Sequence, residues 1–405
     1  MSIDDYSDLF SEEPGYLDFA RVGPISSSVA EEQNALTHLL SRARFGTVDS
    51  LHEQDGRVRD AVAALTGFRA DQVVFQPNTS QALMQAIFGL SGTIAMAQSE
   101  FPSMPFAAVR AREAIGELTV QWLETDHGRV TPGNIRDQLT DDTTAVAVSL
   151  VDFRTGYLAD IEGIRQVIGD RLLIVDAIQG FSVVDAPFEV ADVVASGGQK
   201  WVRSGWGTGF LALSDRALDR VTPVMSGFSA TDAEGTPLDE VLPPTTGAGA
   251  FAISNADPIA QGRFAVALED IESVGVSAIH ARVLDKANHI IDLADEFGLA
   301  VLSSRAENER AGIVVIAPPE EQLTVLSASL HNHGVTATIR QNQVRLSAHV
   351  STDDETLEML RAAFTSYASA INVCVHRLST AVQQTLIWTK RKTRACRSSL
   401  SIASA

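Results

Sequence analysis

One lysine stands apart in this chain. Only two lysines precede the C-terminal basic tail, Lys200 and Lys286, whereas arginine is spread throughout. Lys200 follows Ser196-Gly197-Gly198-Gln199, precedes Trp201, and leads into the glycine-rich loop Ser204-Gly205-Trp206-Gly207-Thr208-Gly209. Such a place is costly for a solvated surface charge. A lysine held in a tight, partly apolar site loses its proton and becomes a nucleophilic amine, the form that makes a Schiff base with a carbonyl. Some two dozen residues earlier, the apolar run 172–175 ends on Asp176. A carboxylate at a strand end, paired with such an amine, suits a cationic ring nitrogen.

These two residues need elements to hold them. LLIV before Asp176, ADVVAS before the Gly-Gly turn and GFLAL after the loop read as three short buried strands. Upstream, residues 30–65 carry helical periodicity, with Gly67 as a C-terminal stop. QVVFQ is a strand, followed by Pro77-Asn78-Thr79-Ser80 and the helix QALMQAIFGL; hydroxyls and backbone N–H groups at such a helix start suit an anion. A further strand precedes Glu100-Phe101-Pro102-Ser103, whose aromatic ring can lie on a flat cofactor. AVAVSLVDFRTG adds another strand. Alternation of strands and helices from residue 70 to 215 predicts βαβ units, a mostly parallel sheet sandwiched by helices, and chemistry at the strand ends.

Asp176-Ala177-Ile178-Gln179, Ser196-Gly197-Gly198-Gln199-Lys200-Trp201 and Gly207-Thr208-Gly209-Phe210 together resemble the class V aminotransferase group of fold-type I pyridoxal-phosphate (PLP) enzymes, which includes cysteine desulfurases, kynureninases and isopenicillin-N epimerase-like proteins. The resemblance implies a PLP-transferase fold with a smaller α+β C-terminal domain. It implies a Lys200 Schiff base, Asp176 at the ring nitrogen, and Thr79 and Ser80 around the phosphate. Phe101 occupies the stacking position, Gln179 the place beside the ring oxygen, and Gln199 a place from which its amide reaches the phosphate. Thr208 adds a loop hydroxyl at the phosphate. Asn255 or Ser254 stands in for the family threonine that reaches the partner subunit's phosphate. Val344-Arg345-Leu346-Ser347-Ala348-His349 resembles the R-[LI]-S-x-H segment, whose arginine grips the substrate α-carboxylate in a bidentate pairing. Arg21, after the family-like Tyr16-Leu17-Asp18-Phe19-Ala20, is a candidate for a substrate acid. The Phe-Pro-Ser wording is nearest the kynureninase branch, but Met104 replaces that branch's aspartate.

The chain has 405 residues and a formal charge of -20, which argues against nucleic acid as a partner. No eighteen-residue apolar run exists and the N-terminus is acidic, so neither a membrane span nor a signal peptide is expected and the protein is expected to be cytoplasmic. Two cysteines, Cys374 and Cys396, offer no zinc spacing or disulfide framework, and His331-Asn332-His333 is no metal site. GWGTG leads into a strand instead of a helix, unlike a dinucleotide fingerprint. A small-molecule amino acid is the expected substrate, PLP the cofactor, and no metal is expected. The resemblance implies a homodimer with a shared active site.

Residues 1–29 read as an extended N-terminal segment, 30–257 as the large PLP-binding domain, 258–375 as the small α+β domain and 376–405 as a basic, disordered tail. Transamination is the expected reaction. Elimination with C–S or other β/γ cleavage, and epimerisation or racemisation, are the alternatives on the same fold. A non-catalytic protein of this fold is the alternative of another class, and retention of Lys200 and Asp176 speaks against it. No cysteine lies between Gly334 and Arg345, where a desulfurase carries its persulfide-forming thiol.

Overall fold

The computed structural model describes residues 1–371, apart from 234 and 236–238. The tail expected over 376–405 lies outside the described residues. Seven strands form the central sheet: β1 Val73–Phe75, β2 Gly92–Ala97, β3 Leu118–Leu123, β4 Thr143–Ser149, β5 Leu172–Asp176, β6 Val193–Gly197 and β7 Gly209–Leu213, in the spatial order β1-β7-β6-β5-β4-β2-β3. All neighbours from β3 across to β6 pair in parallel, and β7 alone runs the other way between β6 and β1. The continuous apolar runs of β5, β6 and β7 are buried along their whole length, as a sheet covered on both faces requires.

The helices, in chain order, are α1 Ile3–Ser7, α2 Ser27–Arg42, α3 Thr47–Thr66, α4 Thr79–Phe88, α5 Ser103–Ile115, α6 Pro132–Arg136, α7 Ile161–Ile168, α8 Asp215–Arg220, α9 Pro258–Val274, α10 Val276–Glu296, α11 Leu323–Asn332 and α12 over 354–371. Alternate strand residues divide between two cores. Val146, Val148, Leu173, Val175 and Val194 face α3, α7 and α9, whereas Ala145, Ala147, Leu172, Ile174 and Val193 face α4 and α5. Period-two alternation thus builds the expected sandwich. Gly67 ends α3 in the left-handed region at φ 76°, as its position after the helical pattern predicts.

The smaller sheet, β8 Ile313–Ile316, β10 Gln343–Ser347 and β9 Thr338–Arg340 in that order, is antiparallel, and α10, α11 and α12 pack over Val314, Val344 and Leu346. Two boundaries differ from the sequence reading. α9 packs on α2 and α3, and its Phe264, Leu268 and Ile271 belong to the large core. The large core thus takes in α9, which the sequence reading placed in the small domain from residue 258, and it reaches on to Ile279 and Val283 of α10. The N-terminal segment is also no simple extended lead-in. Its Tyr16 and Asp18 bridge in parallel to Thr336 and Ser347, Leu17 is buried in the small core and Phe19 in the large one. It stitches the two domains together at the site.

Candidate active site

Strand ends β4, β5 and β6 share one register, so Ser149 and Asp176, followed by Ala195, lie side by side. Asp176 is 1 % exposed; its Oδ1 accepts the Ile178 N–H at 3.0 Å, and its Oδ2 is buried without a partner. Burial pushes this carboxyl up to about 6, against the opposing pull of the Ile178 hydrogen bond and of Lys200. Lys200 stands on the loop from β6 to β7. Burial lowers its ammonium to about 8, with Asp176 opposing and Arg345 reinforcing the shift. The pair is therefore an amine readily freed of its proton beside a buried acid with one oxygen unclaimed. Lys200 Nζ is 5.4 Å from the centroid of the Phe101 ring, which meets Phe153 edge-on at 5.2 Å.

At the start of α4 the capping side chain is Asn78, whose Oδ1 accepts from the Gln81 N–H at 2.9 Å. Thr79 is thereby released from capping, and its Oγ1 is buried with no partner. A Cβ on Gly197 would stand 3.0 Å from Thr79 Oγ1 and 2.5 Å from Gln199 Oε1, so these two side chains converge on the end of β6. Ser80 Oγ bonds Ser103 Oγ of α5 at 2.6 Å. A helix start with a free hydroxyl is a ready anion site.

Arg345 lies on β10 with 13 % of its side chain exposed. Nη1 donates to the Phe153 carbonyl at 3.0 Å, Nη2 donates to Thr338 Oγ1 at 3.2 Å and stands 3.5 Å from Asp18 Oδ1, and Nε is buried without a partner. Asp18 in turn accepts from Thr338 Oγ1 at 2.7 Å. Burial raises the Asp18 carboxyl, with Thr338 and Arg345 opposing. Arg21, by contrast, leaves 76 % of its side chain in solvent and approaches Asp18 only at 4.0 Å.

Two side chains expected to contact the cofactor are hydrogen-bonded within the scaffold. Gln179 is spent on the scaffold: Nε2 donates to the Ala20 carbonyl at 2.9 Å and Oε1 accepts from the Trp201 indole at 2.8 Å. Its amide fastens the N-terminal segment to the lysine loop. Thr208 donates to the Gly205 carbonyl at 2.7 Å and sits 2.9 Å from Ser204 Oγ, so its hydroxyl turns the loop. Asn255 is exposed in a left-handed turn at φ 55° and makes no side-chain hydrogen bond within its own subunit's described residues.

Other residues near the site were given no role in the sequence reading. Glu100, directly before Phe101, accepts both the N–H and the O–H of Ser149. Burial pushes it up to about 7, Ser149 opposes, and Asp152 and Asp176 add to the rise. Arg203, three residues past Lys200, is wholly buried. It pairs with Glu12, donates to Ser351 and the Pro24 carbonyl at 2.6 Å each, and lies 3.5 Å from the Phe10 ring centroid. His349 Nε2 donates to the Trp201 carbonyl at 3.2 Å, and burial holds its imidazole well below the usual value, so the ring is neutral. Asp18 had a signal in the Tyr-Leu-Asp segment; Arg203 had none, because its partners are far away in the chain.

The described residues of the site leave three buried polar atoms unclaimed: Asp176 Oδ2, Thr79 Oγ1 and Arg345 Nε. Each is free to bind a further group: the carboxylate oxygen can accept, the hydroxyl can donate or accept, and the guanidinium N–H can donate. Against known proteins, the chain is 25 % identical over 337 residues to an uncharacterized aminotransferase, YcbU, of Bacillus subtilis (strain 168), covering 78 % of this chain and 87 % of that one. It is 29 % identical over 269 residues to a probable hercynylcysteine sulfoxide lyase of Mycobacterium tuberculosis (strain CDC 1551 / Oshkosh), covering 64 % and 63 %. The fold matches a cysteine desulfurase from Thermococcus onnurineus NA1 in its apo form with a TM-score of 0.77, at 19 % identity over 88 % of this chain and 95 % of that one. The aminotransferase class-V family model matches residues 45–375. Sheet, lysine loop and unclaimed polar atoms agree with that match, and the chain belongs to the aminotransferase class-V family, as a fold-type I enzyme whose cofactor is pyridoxal phosphate.

Proposed function

We propose that this enzyme is an aminotransferase acting on an amino acid, with Lys200 as the amine that carries the cofactor and afterwards moves the α-proton. Asp176 is assigned to the ring nitrogen, Phe101 to the ring face, and Thr79, Ser80 and Gln199 with the start of α4 to the phosphate. Arg345 is assigned to the α-carboxylate. The observation that carries this reading is the set of three unclaimed polar atoms flanking one lysine. When bound, pyridoxal phosphate supplies the electron sink that makes an α-C–H bond labile.

The protein's own contribution is proton management and placement. An amine lowered to about 8 exists in part as the free base near neutral pH, the form that accepts a proton. Asp176, buried and one hydrogen bond short, keeps a negative charge where a ring N–H needs one. Arg345, already held by Phe153 and Thr338, presents Nε to a carboxylate without having to reorganise. The second reading is a lyase of the C–S or other eliminating type, which the lyase relative supports, and a racemase shares the same first steps. We further propose a homodimer, in which the exposed Asn255 turn of one subunit serves the other.

The test begins with borohydride reduction of protein reconstituted with pyridoxal phosphate, and peptide mapping. The expected result is cofactor fixed on Lys200, absent in Lys200→Ala. Products from an amino-acid panel then separate the readings. Transamination turns over only with an oxo-acid acceptor, which is aminated one for one as the substrate becomes its oxo acid; elimination turns over without one and releases ammonia with the oxo acid. Reconstituted protein with no lysine-bound cofactor absorbance refutes the proposal.

A further inference from the structure

The hairpin that carries Arg345 carries a second arginine on the same face. β9 and β10 pair Thr338 with Arg345 and Arg340 with Gln343. With side chains alternating along each strand, Thr338, Arg340, Gln343 and Arg345 form one polar row. Val344 and Leu346 turn the other way into the small domain's core. Arg340 is the diagonal neighbour of Arg345, and diagonal neighbours across a sheet lie about 7–8 Å apart. The turn between them is tight: Gln341 and Asn342 adopt φ 50° and 61°, both left-handed, as a two-residue hairpin turn matched to strand twist requires. Arg340 is thus set beside Arg345 by register.

Six side chains line a cavity beside Arg345: Phe153, Arg154, Thr338, Arg340, Gln341 and Gln343. Its charges do not balance. Arg345 is answered by Asp18 at 3.5 Å and Arg154 by Asp152 at 3.2 Å. Arg340 has no carboxylate partner among the described residues. This excess of positive charge sits on a chain whose formal charge is -20. In so acidic a protein, a cationic mouth is a local feature that concentrates anions.

We infer that the amino-acid substrate carries a second anionic group on its side chain, a carboxylate or sulfonate, and that Arg340 receives it while Arg345 holds the α-carboxylate. The inference rests on the assignment of Arg345 made above. Gln341 and Gln343 supply amide donors at the same cavity, so the second group meets hydrogen bonds as well as charge. Arg340 is exposed, and a charge-assisted contact there is worth about a tenfold preference.

The experiment titrates the reconstituted enzyme with isosteric pairs, aspartate against asparagine and glutamate against glutamine, and reads the change in cofactor absorbance. The expected result is about tenfold tighter binding of the acidic member, collapsing toward one in Arg340→Gln and partly restored in Arg340→Lys. Equal binding of both members, or a preference that survives Arg340→Gln, overturns the inference. A second readout is independent of the cofactor: thermal denaturation of the cofactor-free protein with glutarate against butyrate. Stabilisation by glutarate alone, lost in Arg340→Gln, supports the subsite; equal response to both overturns it. Should no cofactor absorbance form, the proposed function fails, and this second readout still decides on Arg340.

Discussion

Two buried carboxyl groups, Glu100 and Asp176, are near enough for the charge of the second to raise the first. Glu100 is buried against Ser149, with Asp152 and Asp176 each pushing it further from ionisation. Its carboxyl rises from 4.5 to about 7, whereas Asp176 rises from 3.8 to about 6. Environments that separate two such groups assign them different roles: Glu100 keeps its proton longer and leaves the negative charge to Asp176. Because the folded state binds this proton more tightly than the unfolded chain, the stability it contributes is fully present below pH 4.5 and is lost as pH rises toward about 7. The loss amounts to about 3 kcal/mol, at about 1.4 kcal/mol for each pH unit crossed. Glu100→Gln is the suitable perturbation, since an amide oxygen still accepts from Ser149 and never ionises. Denaturant unfolding of both cofactor-free proteins at about pH 4 and about pH 8 should show the variant gaining about 3 kcal/mol on the wild type at the higher pH. Comparing the two proteins at each pH cancels the remaining titrations. A stability difference that is the same at both pH values refutes the argument.

Lys200→Met should stabilise the cofactor-free protein by about 3 kcal/mol near neutral pH. The lysine's ammonium is lowered from 10.5 to about 8, so its cost is present below pH 8 and disappears by pH 10.5; a gap that does not close over that window in denaturant unfolding would contradict the burial argument. Arg203→Met leaves Glu12 without its cation in an interior place and should cost about 3–5 kcal/mol in denaturant unfolding. Adding Glu12→Gln should recover much of that loss, and a strictly additive double variant would show the pair to be uncoupled.

The large sheet was legible because parallel strands buried on both faces write themselves as uninterrupted apolar runs. LLIVD, ADVVAS and GFLAL were each found within a residue or two of β5, β6 and β7. The places of Asp176 at the end of β5 and of Lys200 on the loop after β6 were legible for the same reason. The domain division was not, because α9 is apolar on the face that meets α2 and α3, and periodicity alone does not say which core a helical stripe will cover. Nor was the N-terminal segment. Asp18 meets Thr338 across 320 positions of chain, a pairing no local pattern encodes.

Gln179 and Thr208 show where reading by motif position reaches its physical end. Both sit where the family places cofactor contacts, yet each is claimed by the scaffold first. Trp201 is 1 % exposed, and a buried indole N–H without an acceptor is costly; Gln179 is the acceptor within reach, and its other end closes on Ala20. Thr208 is taken by a carbonyl of its own glycine-rich turn. A buried polar group binds whatever satisfies it in the folded chain, so sequence position fixes its neighbourhood and not its partner. The reverse property, a buried polar atom left unsatisfied, marks a group still free to bind a ligand, and six buried atoms elsewhere among the described residues share it. Asp176, Thr79 and Arg345 have that property and Gln179 and Thr208 lack it, which is why substitutions at the first three should act mainly on ligand binding and at the other two mainly on the fold.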